Sequence, residues 1–354
     1  MKHLLLILLL TLLSACKLPS TTAEINPEEL TDMKKYEWYA QFTTPKGYNR
    51  MHIVDGYFTL EDQTKMYFHT GYLPQGKWAR PSGLRLVGPA KKYLPRQLNI
   101  TWFSILENQA YSAECPFPFE QLQQDGANGF SSDLPAGWKN ESFDFFVTGI
   151  APGGYIQVWA VVSSAARITI SSCQGEPVHV PFAETRLSQG GGYKSWKEYV
   201  DAYMENYTPE QLQDLGKKAF PVNTWRDIYT RRYPYTIKFS GMRQQPAYAK
   251  LSTFGGEYYT FGAPRTPADR YDTHGVPDML DIFSLSDRDD EVHKEFYRVR
   301  FDETEAIRAF EKFAGTNQGK PFELHAEVSD LKTHVNITLT DGEQIYLFEK
   351  TRME

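Results

Sequence analysis

From Trp38 onward, short runs of aromatic and β-branched residues alternate with polar positions and are separated by turn residues. A period of two sends successive side chains to opposite faces, so each run reads as a strand. The pattern predicts strands over 57–60, 65–72, 98–106, 144–150, 155–162 and 167–172. It predicts more over 233–240, 248–254, 257–262, 279–285, 293–301, 322–329, 334–340 and 344–350. Helical periodicity is scarce. Residues 119–124, after Pro116 and Pro118, predict one short helix. Within 193–218, Trp196, Tyr199, Val200, Tyr203, Met204 and Tyr207 share a single helical face. That stripe reads as packing on the sheets, with a partner-docking face as the alternative. Thr208-Pro209-Glu210-Gln211 then reads as the start of a second short helix ending near Leu215 and Gly216. Asp302 caps a further helix, with Glu305 three residues on, an inner face of Ala306, Ile307, Phe310 and Phe313, and Gly315 at its close. Asp341-Gly342 predicts a hairpin turn between the last strands.

These elements imply an α+β chain with two antiparallel-sheet domains, 36–180 and 223–354, each with a short helix. A helical connector, 181–222, joins them. The halves resemble each other. Phe103-Ser104-Ile105 answers Phe283-Ser284-Leu285, Phe119-Glu120 answers Phe301-Asp302, the turn at Gly153 answers one near Leu331, and Trp38 answers Trp225. The near-constant spacing suggests an internal duplication; the alternative is two generic α+β domains with a common strand order.

The stretch IAPGGYIQVW, residues 150–159, raises the question of a phosphate-binding loop. Such a loop needs a helix directly after its glycines, so that free backbone N–H groups point at the anion. Here Tyr155, Ile156, Gln157, Val158 and Trp159 follow, a strand pattern. Pro152-Gly153-Gly154 therefore reads as a hairpin turn, where proline fixes φ and glycine accepts φ > 0.

The first residues change the picture of location. MKHLLLILLLTLLSAC has a positive start and an apolar stretch too short for a membrane-spanning helix, which needs about 20 residues. It reads as a signal peptide over residues 1–15. Leu13-Ser14-Ala15-Cys16 resembles the lipobox of bacterial lipoproteins, which implies acylation of Cys16, as by palmitate, after cleavage before it; the alternative is an ordinary signal peptide with an incidental cysteine. Lys17, where aspartate would retain an enterobacterial lipoprotein in the inner membrane, implies the outer membrane, facing the periplasm. Residues 17–34 are polar and aperiodic, a flexible tether within the lipidated segment 16–35, with a reach on the order of 25 Å.

Cleavage at that site takes the formal charge from −6 to −7. An acidic surface argues against nucleic acid as a partner. With Cys16 assigned to lipid, Cys115 and Cys173 remain. In an oxidising compartment they read either as a disulfide or as two separate buried thiols. Aromatics make up 14% of the chain, which serves sheet packing or a binding surface equally well.

Catalytic and cofactor candidates are weak, and none is assigned. His325 and Glu327 share a strand face, but two ligands do not make a closed zinc site, so no metal is expected. Asp287 to Glu291 form an acidic loop without the spacing of a calcium loop. Glu107 and Glu114 flank a predicted turn as a conceivable carboxylate pair. There is no Gly-x-Ser-x-Gly elbow.

The stretches LPRQLNITWFSILENQAYSAECPFPFEQL and DFFVTGIAPGGYIQVWAV resemble a family of bacterial lipoproteins, the domain of unknown function 2931 family. Leu94-Pro95, Trp102-Phe103-Ser104, Glu107, Tyr111, Pro118-Phe119-Glu120 and Gly149 to Trp159 carry the likeness. Phe301, Glu305, Ala309 and Phe310 extend it. The likeness is good over about 36–175 and looser over 225–350, and the long middle helix departs from it. It implies the lipoprotein and fold readings and supplies no activity or catalytic residues.

Together these features lead to the expectation of an outer-membrane-anchored, non-catalytic module that binds a protein partner. One version is an immunity protein against a toxin delivered to the periplasm. The alternatives are an envelope hydrolase acting on lipid or glycan, which needs a concave pocket with convergent acids, and a structural envelope component.

Overall fold

The computed structural model describes residues 33–45, 48, 50–73, 78–80, 88–128, 143–162, 166–190, 192–205, 208, 224–242, 248–262, 273–285, 294–316, 319–329 and 334–354. The predicted signal peptide, Cys16, nearly all of the predicted tether, Tyr207 of the aromatic stripe, the predicted second connector helix from Pro209, the 287–291 acidic loop and the turn near Leu331 lie outside them.

In the first lobe the strands are β1 (Tyr39–Thr43), β2 (Met51–Leu60), β3 (Pro95–Ser104), β4 (Gln109–Pro116), β5 (Phe145–Ile150), β6 (Tyr155–Val162) and β7 (Ala166–Gln174). Helix α1 (Phe119–Asn128) stands between β4 and β5. The connector contributes α2 (Trp196–Met204). In the second lobe come β8 (Tyr233–Ser240), β9 (Tyr248–Thr253), β10 (Tyr258–Gly262), β11 (Pro277–Leu285), β12 (Lys294–Arg300), α3 (Glu303–Thr316), β13 (Phe322–Val328), β14 (Val335–Thr340) and β15 (Ile345–Leu347).

The same topology occurs twice. In the first lobe β1 pairs in parallel with β5, and β5, β6 and β7 follow as an antiparallel meander. In the second, β8 pairs in parallel with β13, and β13, β14 and β15 follow in the same way. The partner sheets repeat as well. A short strand, Lys65–Tyr67, then β2, β3 and β4, corresponds to β10, β9, β11 and β12. Each lobe closes its apolar interior between its two sheets and its helix. Phe58, Trp102, Leu122, Phe146 and Ile156 meet in the first; Tyr235, Leu280, Phe310, Leu324 and Ile337 meet in the second. The predicted repeat of strands about one helix thus stands, with one correction of register. Trp38 directly precedes β1, whereas Trp225 lies eight residues before β8, so the two tryptophans are not equivalent positions.

The lobes are not merely strung together. β7 pairs with β10 through Ala166–Tyr259 and Arg167–Tyr258, so one sheet of nine strands, counted over the described residues, runs through both halves. The β9–β10 turn then inserts against the first lobe. Gly255 O accepts from Gln157 Nε2 (3.2 Å) and Trp159 Nε1 (3.3 Å), and Gly256 O accepts from Arg167 Nη1 (3.0 Å). Glu257 is almost fully buried; it accepts from the Thr169 N–H at 3.1 Å and pairs with Arg232. Gly256 has φ +87°, and a Cβ there would come within 2.3 Å of the Ala79 side chain, so only glycine lets the turn approach so closely. Residues 35–354 accordingly form one compact unit.

Helix α2 uses its aromatic stripe for packing. Trp196 stacks on Phe103 at 3.9 Å, and Tyr199 is buried with its hydroxyl 2.8 Å from His52 Nδ1. Ser195 caps the helix through the Glu198 N–H. Cys115 and Cys173 form a disulfide with Cα atoms 5.5 Å apart, joining β4 of one first-lobe sheet to β7 of the other. No helix among the described residues is long and apolar enough to cross a membrane.

Candidate functional site

The glycine turn that opens the question of phosphate binding is a hairpin between β5 and β6. Gly153 and Gly154 take φ 76° and 80°. Its backbone is already occupied. The Gly153 N–H donates to Glu107 Oε1 (2.8 Å), and Tyr111 Oη donates to the same oxygen (3.1 Å). A carboxylate accepting two such bonds is a strong local tie. It anchors the hairpin to the β3–β4 turn of the facing sheet. Burial and the neighbouring Glu107 carboxylate together push the Tyr111 hydroxyl well above the usual phenol range. Glu107 and Glu114 therefore do not form a pair. Glu107 sits in the turn after β3, while Glu114 lies within β4 and accepts from Gln97.

One side of the hairpin borders a cluster of rings. Ala151, Tyr155 and Trp225 are buried together, with Tyr48, Trp78 and Tyr229 packed on them. Tyr48 meets Trp225 edge-on at 5.2 Å, and Trp78 meets Trp159 edge-on at 5.0 Å. Gly149 makes this closure geometrically feasible: a Cβ there would stand 2.7 Å from the Trp159 ring and 2.8 Å from Trp78. The stretch from Gly149 to Trp159 thus builds the floor of something larger.

Above that floor is a cleft of about 590 Å³ between the lobes. The first lobe contributes Tyr48, Trp78 and Arg80. Trp225 and Tyr229 come from a single π turn, Thr224–Ile228, and the residue after it; Phe254, Asp278, Arg300 and Glu303 come from the second lobe. A neighbouring concavity of about 580 Å³ shares Phe254, Arg300 and Glu303 and continues along Glu349 to Arg352. The lining of the cleft is mixed: rings and Pro45 alternate with Arg80, Thr224, Thr253, Asp278, Arg300 and Glu303. Both signs of charge are present. Arg300 pairs with Glu354 at 2.6 Å, and Tyr229 donates its hydroxyl to Glu303. Burial is the main cause of the strongly raised Tyr229 pKa, and the bond to Glu303 adds to it. Glu303 is the first residue of α3.

A family model for a protein of unknown function, DUF2931, matches residues 20–222, more than half of the chain. The chain belongs to this family. The match runs through the whole first repeat and the connector, so the middle helix belongs to the family pattern and does not depart from it, and it stops before the second repeat begins at β8. No curated protein and no solved structure matches significantly. Most of the residues that mark the DUF2931 likeness are accounted for by architecture. Trp102 stacks on Tyr111, Glu107 ties the hairpin, and Phe119 begins α1.

The other sequence candidates scatter. His325 and Glu327 lie on the outward face of β13, and no group of three or more His, Cys, Asp or Glu among the described residues is placed to hold a metal. No sequence motif marks the cleft; Trp225 stands out only as the expected counterpart of Trp38. Tyr48, Trp78, Trp225 and Glu303 are far apart along the chain and share no motif. They meet only because the β9–β10 turn docks the second lobe on the first.

Proposed function

We propose that the protein is a lipid-tethered envelope module that binds a protein partner, and that the partner inserts a segment into the aromatic cleft between its lobes. The observation that carries this reading is the cleft itself: Tyr48, Trp78 and Trp225 line it together with two cations, Arg80 and Arg300, and two acids, Asp278 and Glu303. Rigid rings supply contact area at little entropic cost, and mixed charge supplies orientation. In this reading Cys16 carries the lipid, residues 17–34 are the tether, and the body faces the periplasm from the outer membrane. An immunity protein against an incoming toxin is one instance.

The test uses the chain with Cys16→Ser as bait in periplasmic extract, alongside Tyr48→Ala/Arg80→Ala on the cleft and Asn336→Ala/Thr338→Ala on the outer face of β14. The reading expects a partner retained by the parent and the β14 variant and lost by the cleft variant. Equal retention by all three overturns it.

A second reading, an envelope hydrolase acting on glycan, is favoured by one feature: Asp278 and Glu303 line the same concave site as the rings. It requires turnover that Asp278→Asn or Glu303→Gln abolishes. Glu303 already accepts from the Tyr229 hydroxyl, a tie that fixes the side chain in the cleft wall.

A further inference from the structure

A different concavity, of about 310 Å³, lies where the chain enters the first lobe. Lys35, Lys65, Lys91 and Lys92 line it with Tyr67 and Tyr93. Lys92 is spent internally. Its buried ammonium donates to the carbonyls of Trp38 (2.6 Å), Pro89 (2.8 Å) and Ala90 (3.0 Å). The other three are surface cations and make no ion pair among the described residues. Lys35 Nζ sits over the Tyr93 ring at 4.8 Å, and Lys65 Nζ over the Tyr57 ring at 4.4 Å. Asp62 lines the concavity too, and Glu37 lies opposite Lys91 in the strand pair, so the lining holds four lysines and one carboxylate. Asp62 accepts from the Thr64 N–H and hydroxyl, and Glu37 accepts from the Tyr39 hydroxyl. Tyr67 is half exposed beside them. In a chain with a formal charge of −6, this is a local excess of positive charge set among rings.

We infer that this face rests on a membrane of anionic phospholipid, with Lys35, Lys65 and Lys91 against the headgroup phosphates and Tyr67 at the interface. Two observations select that occupant. The charge is complementary to anionic lipid. The chain also enters the body here: Lys35 begins the compact unit, and residues 17–34 alone separate it from Cys16. This second argument rests on the proposed acylation of Cys16. Only 18 residues of chain then separate this part of the body from the lipid, so it is the part nearest the bilayer along the sequence. Docking would fix which way the cleft faces.

The test is co-sedimentation of the Cys16→Ser chain with vesicles of phosphatidylglycerol and phosphatidylcholine in equal parts, or of phosphatidylcholine alone. The expected result is binding to the anionic vesicles that weakens with added salt. Lys35→Glu/Lys65→Glu/Lys91→Glu should reduce it on the order of a hundredfold, about fivefold for each lysine lost. Lys194→Glu/Lys312→Glu/Lys320→Glu makes the same change of net charge on exposed positions elsewhere and should bind far better than the first triple. Equal binding to both vesicle types, equal loss in both triples, or full displacement by inorganic phosphate overturns the inference. The anchor has its own readout, entry of labelled palmitate into the wild-type chain but not into Cys16→Ser. A failure of anchoring is therefore distinguishable from a failure of docking.

Discussion

Breaking the Cys115–Cys173 bond tests whether the first lobe depends on a covalent link between its sheets. The two cysteines are 58 residues apart in sequence. Closing a loop of that length removes unfolded-chain entropy worth about 4 kcal/mol at 25 °C in the chain-entropy treatment. Cys115 is fully buried, so Cys115→Ala also forfeits some packing. Two perturbations separate these contributions: reduction of the wild-type chain, which keeps both sulfurs, and Cys115→Ala/Cys173→Ala, which does not. Urea unfolding followed by tryptophan emission is a suitable assay, because Trp38, Trp102 and Trp159 are all fully buried in the first lobe. Reduction should cost about 2–4 kcal/mol, and the double variant slightly more. The thermal midpoint should fall on the order of 10 °C. Two titratable thiols in the unreduced Cys16→Ser chain, or an unchanged urea midpoint on reduction, would refute the reasoning.

Gly149→Ala places a methyl group against Trp159 and Trp78; it should cost about 1–3 kcal/mol by overpacking and blunt partner binding, read by urea titration and by the bait assay. Glu257→Gln removes the charge that pairs with Arg232 at the lobe junction. Because Arg232 is partly solvated, the loss should be about 1–3 kcal/mol, below that for a fully buried pair, and urea unfolding measures it. Burial lowers the Lys92 pKa to about 8, beneath its value in the unfolded chain. Between that pH and about 10.4 the unfolded state binds more protons, so this residue's contribution to stability rises with pH and is lost as pH falls through the window. The stability of wild type minus that of Lys92→Met should rise from pH 8 to pH 10; a constant difference would count against this.

Much of the fold is legible along the chain, because alternation of Tyr, Ile, Val and Trp with polar residues has only one economical outcome. Strands β5, β6, β7, β8, β11 and β13 lie where that pattern is strong, and Asp302 caps α3 through the Glu305 N–H as its spacing predicts. The weaker strands are those the pattern understates. β4, QAYSAECP, carries small and polar residues and no Ile or Val, and β1 is only five residues long and owes its place to parallel pairing with β5. The segment 65–72 reads as one strand but divides around His69, since Phe68 turns inward against Phe42 and Phe58. The repeat is visible in spacing, but its register is not, because Trp225 belongs to the cleft and not to the strand start. The cleft was hidden for a related reason. Its residues come from a loop, a π turn, two strand ends and a helix start, and nothing local marks the Gly255–Gly256 approach that assembles them.

Whether the cleft is the binding surface is tested most directly by photo-crosslinking in intact cells. A benzophenone amino acid is placed at Tyr48 on the cleft and, separately, at Thr338 on the outer face of β14. The expected result is a discrete adduct with one protein from position 48 that position 338 does not give, and that Arg80→Ala weakens. No adduct at position 48, or the same adduct from both positions, would contradict it.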